Sequence, residues 1–103
     1  MTDDLLINHK GAFMTKRVRL TDKRIRMLKF PSSVKTNQIF LWDSDMKRLA
    51  VRMTTSGVKS FIFESKLDRT TIRWTIGSVA DWTLDDARKE ARRLQLLVDR
   101  GID

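Results

Sequence analysis

The feature that most constrains this chain is a change of hydrophobic period partway along it. From Leu49 to Ile76 apolar residues fall mainly on alternate positions, whereas from Leu84 to Val98 they recur three and four apart. The first period belongs to a half-buried β-strand and the second to an amphipathic helix, so a sheet must give way to a helix between Gly77 and Trp82. The run RLAVRMT sets Leu49, Val51 and Met53 against Ala50, Arg52 and Thr54. Lys59 to Lys66 sets Phe61 and Phe63 against Ser60, Ile62 and Glu64, and TTIRWTIG sets Ile72, Trp74 and Ile76 against Thr71, Arg73 and Thr75. Ser56-Gly57 and Asp68-Arg69 supply the intervening turns. Ile39 to Trp42 is short and aromatic, and reads as one further edge strand at most, ended by the turn residues Asp43, Ser44 and Asp45.

Thr83 is placed to cap a helix over Leu84 to Arg100, with Asp86 at the capping-box spacing and Gly101 as the stop. Leu84, Ala87, Ala91, Leu94 and Val98 form its stripe, leaving Arg88, Lys89, Arg92 and Arg93 for the other faces. A shorter helix is expected after Thr21, with Asp22 in its first turn, Ile25 and Leu28 on one face, and an end near Lys29 imposed by Pro31. A half-apolar sheet and an amphipathic helix can each hide one face only against the other. The predicted fold is therefore α+β: a three-stranded antiparallel sheet, plus the short edge strand, packed on a C-terminal helix, with a short N-terminal helix. At 103 residues there is room for one modest core. Residues 1–19 lack a sustained period and are expected to be a flexible basic arm ahead of a domain over 20–103.

Charge narrows the partners. The chain has 21 Lys plus Arg against 13 Asp plus Glu, a net charge of +8. Between Lys10 and Lys35 nine basic residues face the single acid Asp22, so this quarter alone matches the whole net charge. Such an imbalance points to a polyanion, with nucleic acid first among candidates. There is no cysteine and one histidine, His9, so neither a disulfide nor a metal site is expected, and no cofactor is. No apolar run approaches the roughly 20 residues needed to span a bilayer, and the start, with Asp3 and Asp4, is unlike a signal sequence; a cytoplasmic setting is expected. No nucleophile–base pair, paired-carboxylate pocket or phosphate-cradling glycine loop is visible. Asp81, Asp85 and Asp86 are accounted for by the positive end of the long helix.

The polar side of the strands carries the sharper expectation. Arg52, Ser60, Thr71, Arg73 and Thr75 should project together, and a strand surface of that kind fits the DNA major groove, about 12 Å wide. An ordinary solvated sheet face remains the alternative. Arg52 and Arg73 are expected to read bases and Lys59 to meet phosphate, while Trp42, Trp74 and Trp82 are expected to be packing residues rather than base-stacking ones.

The order LTDKRIRMLK, Trp42-Asp43, LAVRM, Ser56-Gly57-Val58-Lys59-Ser60-Phe61, Thr75-Ile76-Gly77, then Thr83-Leu84 with Ala87-Arg88 and Ala91, resembles the N-terminal domain of prophage and genomic-island tyrosine integrases. The resemblance runs from Leu20 to Asp103. It implies a three-stranded sheet backed by a helix that binds arm-type sites on double-stranded DNA, with the rest of the integrase following Asp103. Arg48-Leu49 stands where the family often has Gly-Leu, and the second hairpin is less basic than is usual, leaving Lys66, Arg69 and Arg73. The implied DNA-binding set is Arg52, Lys59, Ser60, Lys66, Arg69, Thr71, Arg73 and Thr75, with Arg17 and Arg19 from the basic arm. The tyrosine nucleophile of that family is missing, since the chain has no tyrosine, so the expectation is a binding module without catalysis. A stand-alone regulator or double-stranded RNA binder, and a protein-interaction module using Leu96, Leu97 and Ile102, are the rival readings.

Overall fold

The computed structural model describes residues 5–7, 13–15, 17–33 and 35–101. Strands β1 (Leu5–Ile7) and β2 (Phe13–Thr15) pair antiparallel and are followed by helix α1 (Asp22–Met27). Strands β3 (Gln38–Trp42), β4 (Leu49–Thr54), β5 (Lys59–Leu67) and β6 (Thr70–Ser78) form an antiparallel meander in the order β3-β4-β5-β6, and helix α2 (Leu84–Asp99) closes the chain. The α+β architecture is the expected one, with the edge strand fully formed. Within residues 1–19, expected to be a flexible basic arm, the described residues are those of the β1–β2 pair and 17–19. The local signal for the pair was there: two short β-prone runs, LLI and FMT, either side of Gly11. His9, Lys10, Lys16 and Ile102 lie outside the described residues.

The core is one layer thick, between the sheet and α2. Leu49, Val51, Phe61 and Phe63 on the two central strands are essentially inaccessible, as are Ala87 and Ala91 on the helix. Two alanines at that contact let the α2 backbone approach the large phenylalanines of β5, and Leu94 and Val98 continue the stripe. Ile25 and Leu28 bring α1 to the same layer. Both helix starts are capped as the sequence predicts: the Thr21 hydroxyl accepts from the Arg24 amide at 3.0 Å, and the Thr83 hydroxyl from the Asp86 amide at 3.0 Å. Trp74 faces the helix side, as its register requires, stacked on Phe63 with ring centroids 5.7 Å apart. It is only half-buried because β6 is an edge strand and α2 lies over β5 and β4.

Two turns set the hairpins. Gly57, at φ +92°, adopts the left-handed conformation in the β4–β5 turn. The β5–β6 turn is tighter, with Asp68 at φ +51° and Arg69 at φ +69° between the paired Leu67 and Thr70. Two successive positive φ values are the signature of a type I′ turn, whose twist matches the flanking strands. Gly77 has a different reason to be glycine: a Cβ there would lie 2.3 Å from Trp82 Nε1.

Candidate nucleic-acid interface

Pairing register decides which side chains share the face turned away from α2. Arg52 lies opposite Ser60, Ile62 opposite Thr75, Glu64 opposite Arg73, and Lys66 opposite Thr71. Paired residues project to the same side of a sheet. Six of the expected residues, Arg52, Ser60, Lys66, Thr71, Arg73 and Thr75, are thus gathered on one surface, with Glu64 the acid among them. Arg69 stands beside that surface at the tip of the β5–β6 hairpin, exposed and held in a backbone conformation that L-residues adopt at a cost.

Lys59 is elsewhere. It pairs with Met53, which places it on the helix side, and its ammonium donates to the carbonyls of Ile25 at 2.7 Å and Arg26 at 3.1 Å. Those are acceptors at the C-terminal end of α1, where a cation also suits the helix dipole. Burial pushes the Lys59 pKa down. Its observed role is to fasten α1 to β5.

The face away from α2 is less polar than alternation suggested. Ala50 and Ile62 are on it, yet both are fully buried. Phe40 and Trp42 share their side through the pairs Phe40–Arg52 and Trp42–Ala50, and the two rings stack with centroids 6.1 Å apart. Trp42, expected to be a packing residue, packs on Phe40 on the side of the sheet away from α2. Residues 39 and 41 of β3 alternate with 38, 40 and 42, so Ile39 and Leu41 take the helix side and Trp42 the other. The guanidinium of Arg73 lies 4.7 Å from the Phe40 ring centre, and that of Arg17 lies 5.7 Å from the Trp42 ring. Arg17 also donates to the carbonyls of Asp43 at 2.8 Å and Lys47 at 2.7 Å. Arg73 is held a second time by Glu64, through Nε at 2.9 Å and a second, shorter contact from Nη2. Among the described residues Arg52 makes one weak side-chain hydrogen bond, 3.4 Å to the Thr75 hydroxyl, and so keeps most of its donors available.

What fixes the edge of this surface is an ion pair that strand-by-strand reading missed. Asp43, read as a turn residue, is fully buried and accepts from Arg88 at 2.9 and 3.2 Å, from the Leu20 amide at 2.9 Å and from the Met46 amide at 3.1 Å. Arg88 donates as well to the Leu20 carbonyl at 2.8 Å. Desolvation raises the Asp43 pKa, but the Arg88 hydrogen bond, the Leu20 amide and the Arg88 charge together outweigh it and leave the carboxyl below its ordinary value. The Asp43 hydrogen bond raises Arg88 in turn. One carboxylate thus joins the start of α1, the end of β3 and the side of α2. Next to it Val18 bridges Asp43 in parallel, and Arg19 pairs with Asp45 at 2.8 Å, so residues 17–20 run along the β3 edge. The sequence did contain the signal, in Trp42-Asp43 and Ala87-Arg88, but no period links positions 45 apart.

The chain is 46% identical over 98 residues to the prophage integrase IntF of Escherichia coli (strain K12), an alignment that takes in 95% of this chain and 20% of that protein. The chain thus spans about a fifth of the length of the curated relative it matches. The model of the arm DNA-binding domain matches residues 20–103. The match takes in α1, the four-stranded meander and α2, and the chain belongs to the arm DNA-binding domain family.

Proposed function

We propose that this chain is the DNA-binding module of a prophage-type tyrosine integrase, engaging double-stranded DNA at arm-type sites through the face of β4, β5 and β6 turned away from α2. The observation that carries the reading is the register that puts Arg52, Ser60, Lys66, Thr71, Arg73 and Thr75 together on a surface free of the helices, in a family named for DNA binding. A guanidinium can grip guanine O6 and N7 in the major groove, Ser and Thr hydroxyls suit either bases or phosphate, and Arg69, Arg17 and Arg19 flank the face where a backbone would pass. The module holds and orients DNA, while strand cleavage belongs to the remainder of an integrase, since this chain offers no tyrosine. Bacterial chromosomal DNA in the cytoplasm is the setting this implies.

Competition between duplex DNA and duplex RNA of one sequence, titrated at several salt concentrations, tests the reading. Duplex DNA should win, with affinity falling steeply as salt rises because condensed counterions are released. Equal competition by RNA, or an affinity indifferent to salt, would replace it.

A further inference from the structure

Arg17, Trp42, Phe40, Arg73 and Glu64 form one continuous ladder across the face proposed to read DNA. Successive members are in cation–π, ring–ring, cation–π and ionic contact, at 5.7, 6.1 and 4.7 Å for the first three steps. The ladder runs from the β3 edge to β6, and Ala50 and Ile62 on the same face are completely buried. An arginine on a strand surface ordinarily samples many rotamers. Arg73 does not have that freedom: Glu64 takes Nε and Nη2, while Phe40 lies against the guanidinium plane.

We propose that Glu64 and Phe40 are positioning residues that set the guanidinium of Arg73 for base recognition. The proposal rests on the sheet-face reading above. Glu64 would otherwise be out of place, because a carboxylate in the middle of a DNA-facing surface repels phosphate. Holding Arg73 explains it. With Nε and Nη2 committed to Glu64, Nη1 and the remaining Nη2 hydrogen are the donors left for an acceptor in the groove, and their direction is fixed before DNA arrives. Preorganisation of that kind reduces the side-chain ordering cost on binding and penalises any base whose acceptors lie elsewhere.

The test uses this 103-residue chain and two probes: the duplex best enriched from a randomised pool by the unmodified chain, and the unselected pool itself. Arg73→Ala, Glu64→Gln and Phe40→Leu are compared by the ratio of the two affinities, by the Arg73 Nε–Hε NMR signal in the free protein and by thermal melting. Glu64→Gln should cut the ratio about tenfold, approaching Arg73→Ala, and should broaden or shift the Nε–Hε signal while melting stays cooperative. Phe40→Leu should do the same to a smaller extent, and Glu64→Asp should restore part of the ratio. If Glu64 acts only by repelling phosphate, Glu64→Gln raises both affinities equally and leaves ratio and NMR signal unchanged, which overturns the proposal. Should Arg73→Ala itself leave the ratio unchanged, the face does not read through Arg73 and the positioning role is overturned, while the sheet-face reading is decided separately by Arg52→Ala.

Discussion

Replacing Arg88 by methionine removes the guanidinium while keeping a stem of similar length, and strands the Asp43 carboxylate in a site with no solvent access. Three hydrogen bonds vanish together, two to the Asp43 oxygens at 2.9 and 3.2 Å and one to the Leu20 carbonyl at 2.8 Å. The amides of Leu20 and Met46 remain, so the carboxylate is not wholly abandoned. Breaking one side of a buried pair costs about 3–5 kcal/mol, against a total stability of about 5–15 kcal/mol for a domain of this size. The variant should therefore melt about 15–30 °C lower. Asp43→Asn alone should also be costly, because it leaves Arg88 with only the longer, 3.7 Å ion pair to the partly exposed Asp45. The double variant, with no charge left to strand, should recover part of the loss. A double-mutant cycle by urea denaturation reads the coupling directly and should give about 2 kcal/mol or more. Single-variant losses that simply add, with coupling near zero, would mean that Asp43 and Arg88 do not hold the structure together.

The same carboxyl sets an acid limit. Its folded pKa lies below the unfolded value of about 3.9, so its contribution is fully present above that value and is lost as pH falls through the folded one. Urea midpoints should decline from pH 5 toward pH 2, and in the Asp43→Asn background this component of the decline should vanish; an equal decline in that background would assign it to other groups. Gly77→Ala should cost about 1–3 kcal/mol by forcing a methyl onto the Trp82 indole, 2.3–2.5 Å away, and Trp82→Leu should relieve most of that loss when combined with it. An unaltered denaturation midpoint would show that the indole moves aside freely. Arg69→Gly, at φ +69°, should stabilise the domain by about 0.5–1 kcal/mol while weakening DNA binding, and a destabilised variant would contradict the strain argument.

The fold was legible because each of its elements carries a local signal. Period two located the strands, period 3.6 located α2, and Thr21 and Thr83 announced both helix starts with hydroxyls that do accept the predicted amides. The shared face of Arg52, Ser60, Thr71, Arg73 and Thr75 followed from the same alternation. What escaped was contact between residues distant in sequence. Lys59 looks like any strand lysine until α1 folds back over it, and Asp43 looks like a turn former until Arg88 arrives from α2. The face that Trp42 takes was not legible, because an aromatic residue in a four-residue run fits either face of a strand; only pairing with Ala50 decides. The β1–β2 pair was overlooked since two three-residue strands are too short for a period to emerge.

The central claim, that the face of β4 to β6 reads DNA while the flanking cations supply affinity, is tested most directly by Arg52→Ala. Its guanidinium is the least engaged on that face, with one contact at 3.4 Å, so the substitution removes a reader without dismantling a scaffold. Affinities for the enriched duplex and for random duplex, measured side by side from low to physiological salt, should converge by about 1–3 kcal/mol in the variant. Arg69→Ala, beside the face at the hairpin tip, should instead weaken both duplexes alike and flatten the salt slope by about one unit. A ratio of affinities that Arg52→Ala leaves untouched, on a domain that still melts normally, would contradict the account and move recognition off the sheet.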